Sequence, residues 1–407
     1  MSSQQTQVKA TLDRMLLPTL LLCTFTALAV TVAFSTLLVD IAASFEVSIG
    51  TASQLGLISS LIGILVGAAM SSLSLRFRHK TLFLAAILLF TLGAVGYFLA
   101  TDFVFLILAQ FMVATGLSIM SILSYTLIGE HLPIEKRGWA IGLVISSGLL
   151  SFIIIAPLSG FITGLAGWRM VFLWFIIPLS VICLALSLLS IPSKQPKIER
   201  AGQSLYKEAL KKVFLCKSAV ACLTGSLLLM FIVTVPTYAV SYYRDVHSVS
   251  PAVGGILISI TGIGGIVGGL STGKLCNRFS RKKLAGFFIG ISGIACIIFT
   301  FIPIIGVSVA IWTVAAAAST AGMASLNSLT LEQVPKFRGP MMSINGSFQN
   351  VGSGLGVIVG GFILNSFSNN FNLLMVVLGA LGACATVVLL LFASDPLHEE
   401  NVGVPCR

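Results

Sequence analysis

The sequence is poor in charge. Only 9% of its 407 residues are Asp, Glu, Lys or Arg, whereas soluble domains carry about 25%. This scarcity excludes an ordinary water-soluble domain, and the 57% of hydrophobic residues indicates a protein that lives in lipid. The net charge of +11 could suit nucleic acid. The basic residues lie mostly in short loops, so no nucleic-acid partner is expected.

Two further absences limit the kinds of chemistry that the chain can perform. No acidic residue falls at a predicted mid-span position, and the eight cysteines show no Cys-x-x-Cys spacing. A metal site, a disulfide framework and other cofactors are therefore not expected. The apolar segments also contain no cluster of a nucleophile with a base. An enzyme is therefore not predicted.

Apolar sequence is abundant and occurs in runs near the ~20 residues that a membrane-spanning helix needs. Strong alternation of the porin kind is absent, so the runs are read as helices, which satisfy their own backbone polar groups in hydrocarbon. The sequence predicts an all-α polytopic membrane protein with twelve transmembrane helices. The predicted spans are 15–39, 50–75, 81–100, 103–129, 139–164, 168–191, 217–243, 252–273, 284–304, 306–331, 340–364 and 371–393.

The positions of Lys and Arg predict the orientation. Basic residues sit in every second connection, beginning with Arg76, Arg78 and Lys80, while only Arg169 and Arg244 fall in the opposite connections. By the positive-inside rule, the basic loops and both termini are cytoplasmic. The expected location is the plasma membrane.

Several patterns occur twice, about 202 residues apart. A Gly-x-x-x-Gly pair, a basic cluster and a Glu-x-x-Pro motif recur at this offset. The chain is therefore predicted to be two pseudo-symmetric six-helix bundles, residues 1–191 and 218–407, joined by a cytoplasmic linker at 192–217. Duplicated halves in membrane proteins place a binding site at their interface and allow alternating access.

The second-half basic motif runs from Gly273 to Lys282 as Gly-Lys-Leu-Cys-Asn-Arg-Phe-Ser-Arg-Lys, and Gly167-Trp168-Arg169 precedes the sixth span. In their order these motifs resemble the major facilitator superfamily over essentially the whole chain. The twelve-helix drug:proton antiporter branch is the closest likeness. Asn277 stands where the family has Asp, and Gln110 where its fourth helix usually carries Arg.

The resemblance implies a major facilitator fold whose cavity is lined by the first, fourth, seventh and tenth helices. Polar and aromatic residues on these helices, and on the eleventh, are the candidate substrate residues. Asn and Gln in hydrocarbon need partners or water, so they are expected to face inward. Hydrogen bonding between helices is the alternative for every one of them. The candidates are Gln110, Tyr125, Tyr238, Trp312, Asn327, Asn345 and Gln349.

Three other sets complete the site predictions. The basic loops and the acids at helix ends are candidate gate residues: Arg76, Lys80, Glu130, Asn277, Arg278, Arg281 and Glu332. Glycines at four-residue spacing allow close helix packing: Gly63, Gly67, Gly265, Gly269, Gly352, Gly356 and Gly360. Asp40, at the outer end of the first span, is the candidate for proton coupling. A plain role at the membrane interface is its alternative.

These observations predict a monomeric secondary active transporter in the lipid bilayer. We expect it to move a small neutral or lipophilic molecule by alternating access, as proton-coupled efflux. A buried Arg or Lys would suit a strongly anionic substrate, and none is present. The alternatives are a uniporter or an uptake symporter for a neutral solute such as a sugar, and a non-transporting membrane sensor.

Overall fold

The structure, a computed structural model of the chain, describes residues 3–132, 134–192, 211–275, 278–334 and 338–396. The predicted gate residue Asn277 and most of the predicted linker, 193–210, lie outside the described residues. The described part is helical throughout and contains no strand. We number its long helices α1 to α12.

The helices run as follows: α1 Ser3–Ser44; α2 Ile49–Ser53 and Leu55–Arg76; α3 His79–Leu99; α4 Phe103–His131; α5 Ile134–Ala166; α6 Arg169–Val171, a π-helical turn Phe172–Ile176, and Ile177–Ser190; α7 Lys217–Val233 and Val235–Val246; α8 Pro251–Leu275; α9 Arg281–Ile298 and a 3₁₀ turn Phe299–Phe301; α10 Ile305–Gln333; α11 Arg338–Ser366; α12 Phe371–Phe392.

All twelve predicted spans are confirmed as helices long and apolar enough to cross a membrane. The main difference lies inside the seventh span, where the helix is interrupted at Thr234. Pro236, two residues after Thr234, cannot donate a backbone hydrogen bond, so the interruption has an identifiable cause. At other ends the chain uses side-chain caps, as at Asp102, whose Oδ1 accepts the Phe105 N–H at 2.8 Å.

The chain divides into two compact units. Unit 1 comprises Met1–Val47, Leu61–Ile198 and Ser248–Ser259, and unit 2 comprises Ser48–Ser60, Glu199–His247 and Ile260–Arg407. The units follow the two sequence halves except at two places, which we call the first exchanged segment (Ser48–Ser60) and the second exchanged segment (Ser248–Ser259). The bundle limits 1–191 and 218–407 stay a prediction.

Within unit 2, the first exchanged segment packs closely on α11. A Cβ placed on Gly361 of α11 would lie 1.9 Å from Nε2 of Gln54 and 2.8 Å from the carbonyl oxygen of Gly50. Gln54 Nε2 donates a hydrogen bond to the carbonyl oxygen of Val357 at 3.3 Å. Only glycine at position 361 permits this approach.

Within unit 1, the second exchanged segment makes the equivalent contact with α5. A Cβ on Gly160 of α5 would lie 2.2 Å from the carbonyl oxygen of Pro251, and a Cβ on Gly255 of α8 would lie 2.2 Å from that of Ala156. Gly160 and Gly361 are 201 residues apart, the same offset as Arg137 and Arg338. The duplication therefore extends to these close backbone contacts.

Five described cysteines are free thiols: Cys23, Cys183, Cys222, Cys296 and Cys384. Cys216, which precedes α7, is disulfide-bonded, and the cysteine spacing gave no sign of this bond. Among the described residues, no group of three or more His, Cys, Asp or Glu could hold a metal ion.

Candidate functional site

Three of the predicted substrate residues form one cluster in unit 2. Asn327 lies on α10, and Asn345 and Gln349 lie one turn apart on α11. Oδ1 of Asn327 accepts hydrogen bonds from Nδ2 of Asn345 at 3.0 Å and from Nε2 of Gln349 at 3.2 Å. We call these three residues the carboxamide cluster.

The carboxamide cluster keeps one buried acceptor unused. Asn345 is 1% exposed, and its Oδ1 has no hydrogen-bond partner among the described residues. A buried carbonyl oxygen without a donor costs free energy, on the order of 1–3 kcal/mol. A ligand with a hydroxyl or N–H group could therefore be recognised here, and an uncharged one suits a cluster that carries no charge.

Gln110 forms a hydrogen bond within unit 1. It is buried on α4, and its Oε1 accepts a hydrogen bond from the hydroxyl of Tyr97 on α3. The Tyr97 ring is stacked on Phe172 of α6, with 4.6 Å between ring centroids. In this structure Gln110 therefore links α4 to α3, and its place in the substrate cavity stays a prediction.

Tyr238 and Trp312 are also enclosed. The hydroxyl of Tyr238 donates to the carbonyl oxygen of Val357 at 3.0 Å and lies 3.1 Å from Oγ of Ser53. Trp312 is 2% exposed and stacked on Phe299. Neither side chain is hydrogen-bonded to the carboxamide cluster in the described structure. Tyr125, the remaining candidate, lies on α4 and is 42% exposed.

The predicted packing glycines fall into two groups. A Cβ on Gly352, Gly356 or Gly360 would lie 2.2, 2.7 and 2.5 Å, respectively, from atoms of residues 227, 234 and 238 of α7. On Gly265 and Gly269 it would come to 3.2 Å from the Thr320 side chain on α10. These five glycines therefore lie close against a neighbouring helix.

The pair in the first half, Gly63 and Gly67, is less closely packed. Gly67 has no described atom within 4 Å of a Cβ built on it, because its face of α2 is exposed. Gly63 is half-buried. The spacing of glycines alone did not reveal which pairs face another helix.

The predicted gate residues have different environments. Arg76 and Arg278 are exposed, whereas Lys80 donates from Nζ to the carbonyl oxygen of Leu188 at 2.7 Å. Arg281 donates from Nη1 to the carbonyl oxygen of Ser328 at 3.3 Å. Glu332 is half-buried near the end of α10.

Glu130 pairs with a residue that the sequence analysis did not select. Its carboxylate oxygens lie 2.9 and 3.0 Å from Nδ1 of His79. The signal was present, because His79 occupies the position of Arg281 in the duplicated basic cluster. Asp40, the candidate for proton coupling, lies near the end of α1 and is half-buried.

The twelve spans and the repeat define a polytopic membrane protein built from two related halves. A family model of the Major Facilitator Superfamily matches residues 20–270 and 223–405. The chain therefore belongs to the Major Facilitator Superfamily, and it is a multi-pass membrane protein.

Comparisons with known proteins agree with this assignment. The inner membrane transport protein YdhP of Escherichia coli O157:H7 is 26% identical over 379 residues, which cover 90% of this chain and 92% of YdhP. A D-xylose-proton symporter has a similar fold, with a TM-score of 0.77, 19% identity and coverage of 94% and 98%. The nucleoside transporter NupG gives a TM-score of 0.76, 14% identity and coverage of 93% and 100%.

Proposed function

We propose that this chain exports a small neutral or lipophilic molecule in exchange for protons, by alternating access. The observation that carries the proposal is the carboxamide cluster, a buried polar site without charge whose free acceptor is Oδ1 of Asn345. An ionised substrate placed there would leave its charge uncompensated, which is costly in a low-dielectric site. A neutral molecule meets no such cost.

The orientation and the gate belong to the same proposal. The basic loops after Arg76 and Arg278 mark the cytoplasmic end by the positive-inside rule, so both termini are cytoplasmic. Because Arg76 and Arg278 are exposed, they are free to meet acids or helix C-termini when the cytoplasmic side closes. The membrane is the plasma membrane, as the name of the inner membrane relative YdhP supports, and the transporter acts as a monomer.

Coupling is assigned to Asp40, whose half-buried carboxylate can bind a proton. Purified protein in proteoliposomes, with an imposed pH gradient and a panel of labelled neutral compounds, tests this. We expect gradient-driven flux that is lost in Asp40→Asn, while exchange without a gradient is retained. Glu46→Gln, an exposed acid that follows α1, is the matched control. Unchanged gradient-driven flux in Asp40→Asn would remove Asp40 from the mechanism.

Uptake of a neutral solute is the second candidate. The carboxamide cluster would serve it equally well, and two solved structures of similar fold are described as a D-xylose-proton symporter and a nucleoside transporter. Sugars and nucleosides are uncharged and rich in hydroxyl donors. The same vesicle assay distinguishes these functions. Flux that follows the proton gradient inward supports symport, and flux that does not depend on the gradient supports a uniporter.

A further inference from the structure

The residues that follow α12 connect the starts of two other helices of unit 2. The backbone N–H of Ser394 donates to Oγ of Ser218, in the first turn of α7, at 2.9 Å. Oδ2 of Asp395 accepts the backbone N–H of Arg281, the first residue of α9, at 2.7 Å and the hydroxyl of Ser280 at 3.0 Å. Ser218 and Asp395 are both buried. The starts of α7 and α9 are therefore held beside the end of α12, at one end of unit 2.

This arrangement brings exposed basic side chains to that end of unit 2. Lys217 is the first residue of α7, Lys283 lies in the first turn of α9, and Arg278 precedes α9. All three side chains are exposed. The acids whose side chains the structure describes at this end are enclosed, because Asp395 is buried and Glu332 is half-buried. The exposed charges described here are therefore positive.

Exposed apolar side chains accompany these cations. Leu215, two residues before Lys217, is 72% exposed, and Phe279, next to Arg278, is 55% exposed. Segments that bind at the headgroup level of a bilayer combine Lys or Arg with Phe, Trp or Leu. Water disfavours exposed apolar surface, whereas the acyl chains of lipids can bury it. The combination of cations and apolar side chains therefore fits a lipid surface better than it fits water.

The first copy of the repeat lacks two of these charges. At the offset of 202 residues, Lys217 corresponds to Met15, and Lys283 corresponds to Thr81. The basic loop motif itself occurs in both copies, so the positive-inside rule is sufficient to explain it. The two lysines occur only in the second copy, and the repeated topology does not account for them.

We propose that this end of unit 2 is a docking surface for anionic phospholipids, formed by Lys217, Arg278, Lys283, Leu215 and Phe279. The three cations bind headgroup phosphates, because ammonium and guanidinium groups donate charge-assisted hydrogen bonds to phosphate oxygens. Basic residues next to a membrane are also attracted to anionic lipid over a longer range. The two apolar side chains enter the boundary between headgroups and acyl chains. Lipid bound to this surface contacts the starts of both α7 and α9, and it therefore stabilises unit 2.

Thermal unfolding of the purified full-length chain in a nonionic detergent tests this without a substrate. Midpoints are measured with phosphatidylglycerol, with phosphatidylcholine of the same acyl chains, and with soluble glycerol phosphate. We expect phosphatidylglycerol to raise the midpoint by about 2–4 °C more than phosphatidylcholine does, the shift that one modest interaction produces in a unit of about 200 residues. Lys217→Gln/Lys283→Gln should lose most of this difference, and Lys217→Arg/Lys283→Arg should keep it. Glycerol phosphate, which has no acyl chains, should cause no comparable shift.

Arg76→Gln/Arg78→Gln removes two exposed charges from the first copy and is the matched control, which should keep most of the difference between the lipids. Native mass spectrometry, which counts bound lipid molecules, is a second measurement that does not depend on unfolding. The proposal is overturned if the Lys→Gln variant responds like the natural protein, if the first-copy control loses as much, or if glycerol phosphate alone reproduces the shift. None of these results bears on the proposed direction of transport, which the vesicle assay tests separately.

Discussion

The two exchanged segments occupy equivalent places in the duplicated chain, yet different interactions hold them. The first is held largely by polar side chains: Gln54 donates to the carbonyl oxygen of Val357 on α11, and Oγ of Ser53 lies 3.1 Å from the hydroxyl of Tyr238 on α7. The second is held mainly by glycine backbones, since Gly160 and Gly255 each lie against a carbonyl group of the opposite helix.

This difference shows what the duplication has retained. Both contacts require a glycine at the same place on α5 and α11, at Gly160 and Gly361. The hydrogen-bonding side chains have no such counterpart, because Gln54 corresponds to Ile256 at the offset of 202 residues. The backbone geometry is thus shared by the two copies, and the chemistry around it is particular to each copy.

The largest expected effect is at the glycine-only contact. Gly160→Val places a branched side chain where even a Cβ would lie 2.2 Å from the carbonyl oxygen of Pro251 and 2.8 Å from its carbon. Backbone atoms cannot move aside as a side-chain end can, so we expect destabilisation of about 3 kcal/mol or more. The yield of monodisperse protein and its unfolding midpoint measure the effect.

Gly164→Val is the matched control, one turn further along α5. No described atom lies within 4 Å of a Cβ on Gly164, and valine is a better helix former than glycine. Its midpoint should equal or slightly exceed that of the natural protein. Similar midpoints for the Gly160 and Gly164 variants would show that the close contact with Pro251 does not hold.

A smaller effect is expected at the equivalent glycine of the polar contact. A Cβ on Gly361 meets first the flexible end of Gln54 and only then the carbonyl oxygen of Gly50. Gly361→Ala should therefore cost about 1–3 kcal/mol, and removal of the obstructing side chain in Gln54→Ala/Gly361→Ala should restore part of this loss. If the midpoint of the double variant fell by the sum of the decreases in the two single variants, this explanation would be contradicted.

The lengths of the apolar runs predicted the number of spans, and the resemblance of the motifs to the Major Facilitator Superfamily predicted the family, because run lengths and motifs are local properties of the sequence. The cluster of Asn327, Asn345 and Gln349 was also within reach, since the need of buried amides for partners is general. The sequence did not reveal which helices are neighbours. It therefore missed Tyr97 as the partner of Gln110.

The exchanged segments were missed for the same physical reason. Gly50 and Gly361 are far apart in the sequence. The periodicity of a helix is a local property and does not predict that two distant glycines approach each other. The Gly-x-x-x-Gly spacing favoured Gly67, which is exposed, and overlooked Gly255, which is closely packed. Spacing shows that a helix can be approached closely, but only the tertiary structure selects the face that is approached.

Loss of a single hydroxyl should have a moderate effect on the polar contact. Tyr238→Phe keeps the ring in its place beside Gly360 but removes the hydroxyl that donates to the carbonyl oxygen of Val357 and lies 3.1 Å from Oγ of Ser53 in the first exchanged segment. We expect a loss of about 1 kcal/mol, the usual contribution of such a bond, because Gln54 still donates to that oxygen. Tyr125→Phe, at an exposed position, is the control in unfolding measurements. Equal midpoints for the two variants would argue against the bond.

The smallest effect is expected at a hydroxyl that accompanies the glycine contact. Oγ of Ser259 donates within 3.2 Å to the carbonyl oxygens of Phe152 and Ile153 on α5, and also to that of Gly255 in its own helix. Ser259→Ala should cost about 0.6 kcal/mol, the average for hydrogen bonds between helices in membranes. Ser271→Ala removes a hydroxyl that bonds only within α8 and should cost less. If Ser259→Ala were as costly as Tyr238→Phe, the second contact would depend on polar side chains as much as the first, and the contrast between the two would disappear.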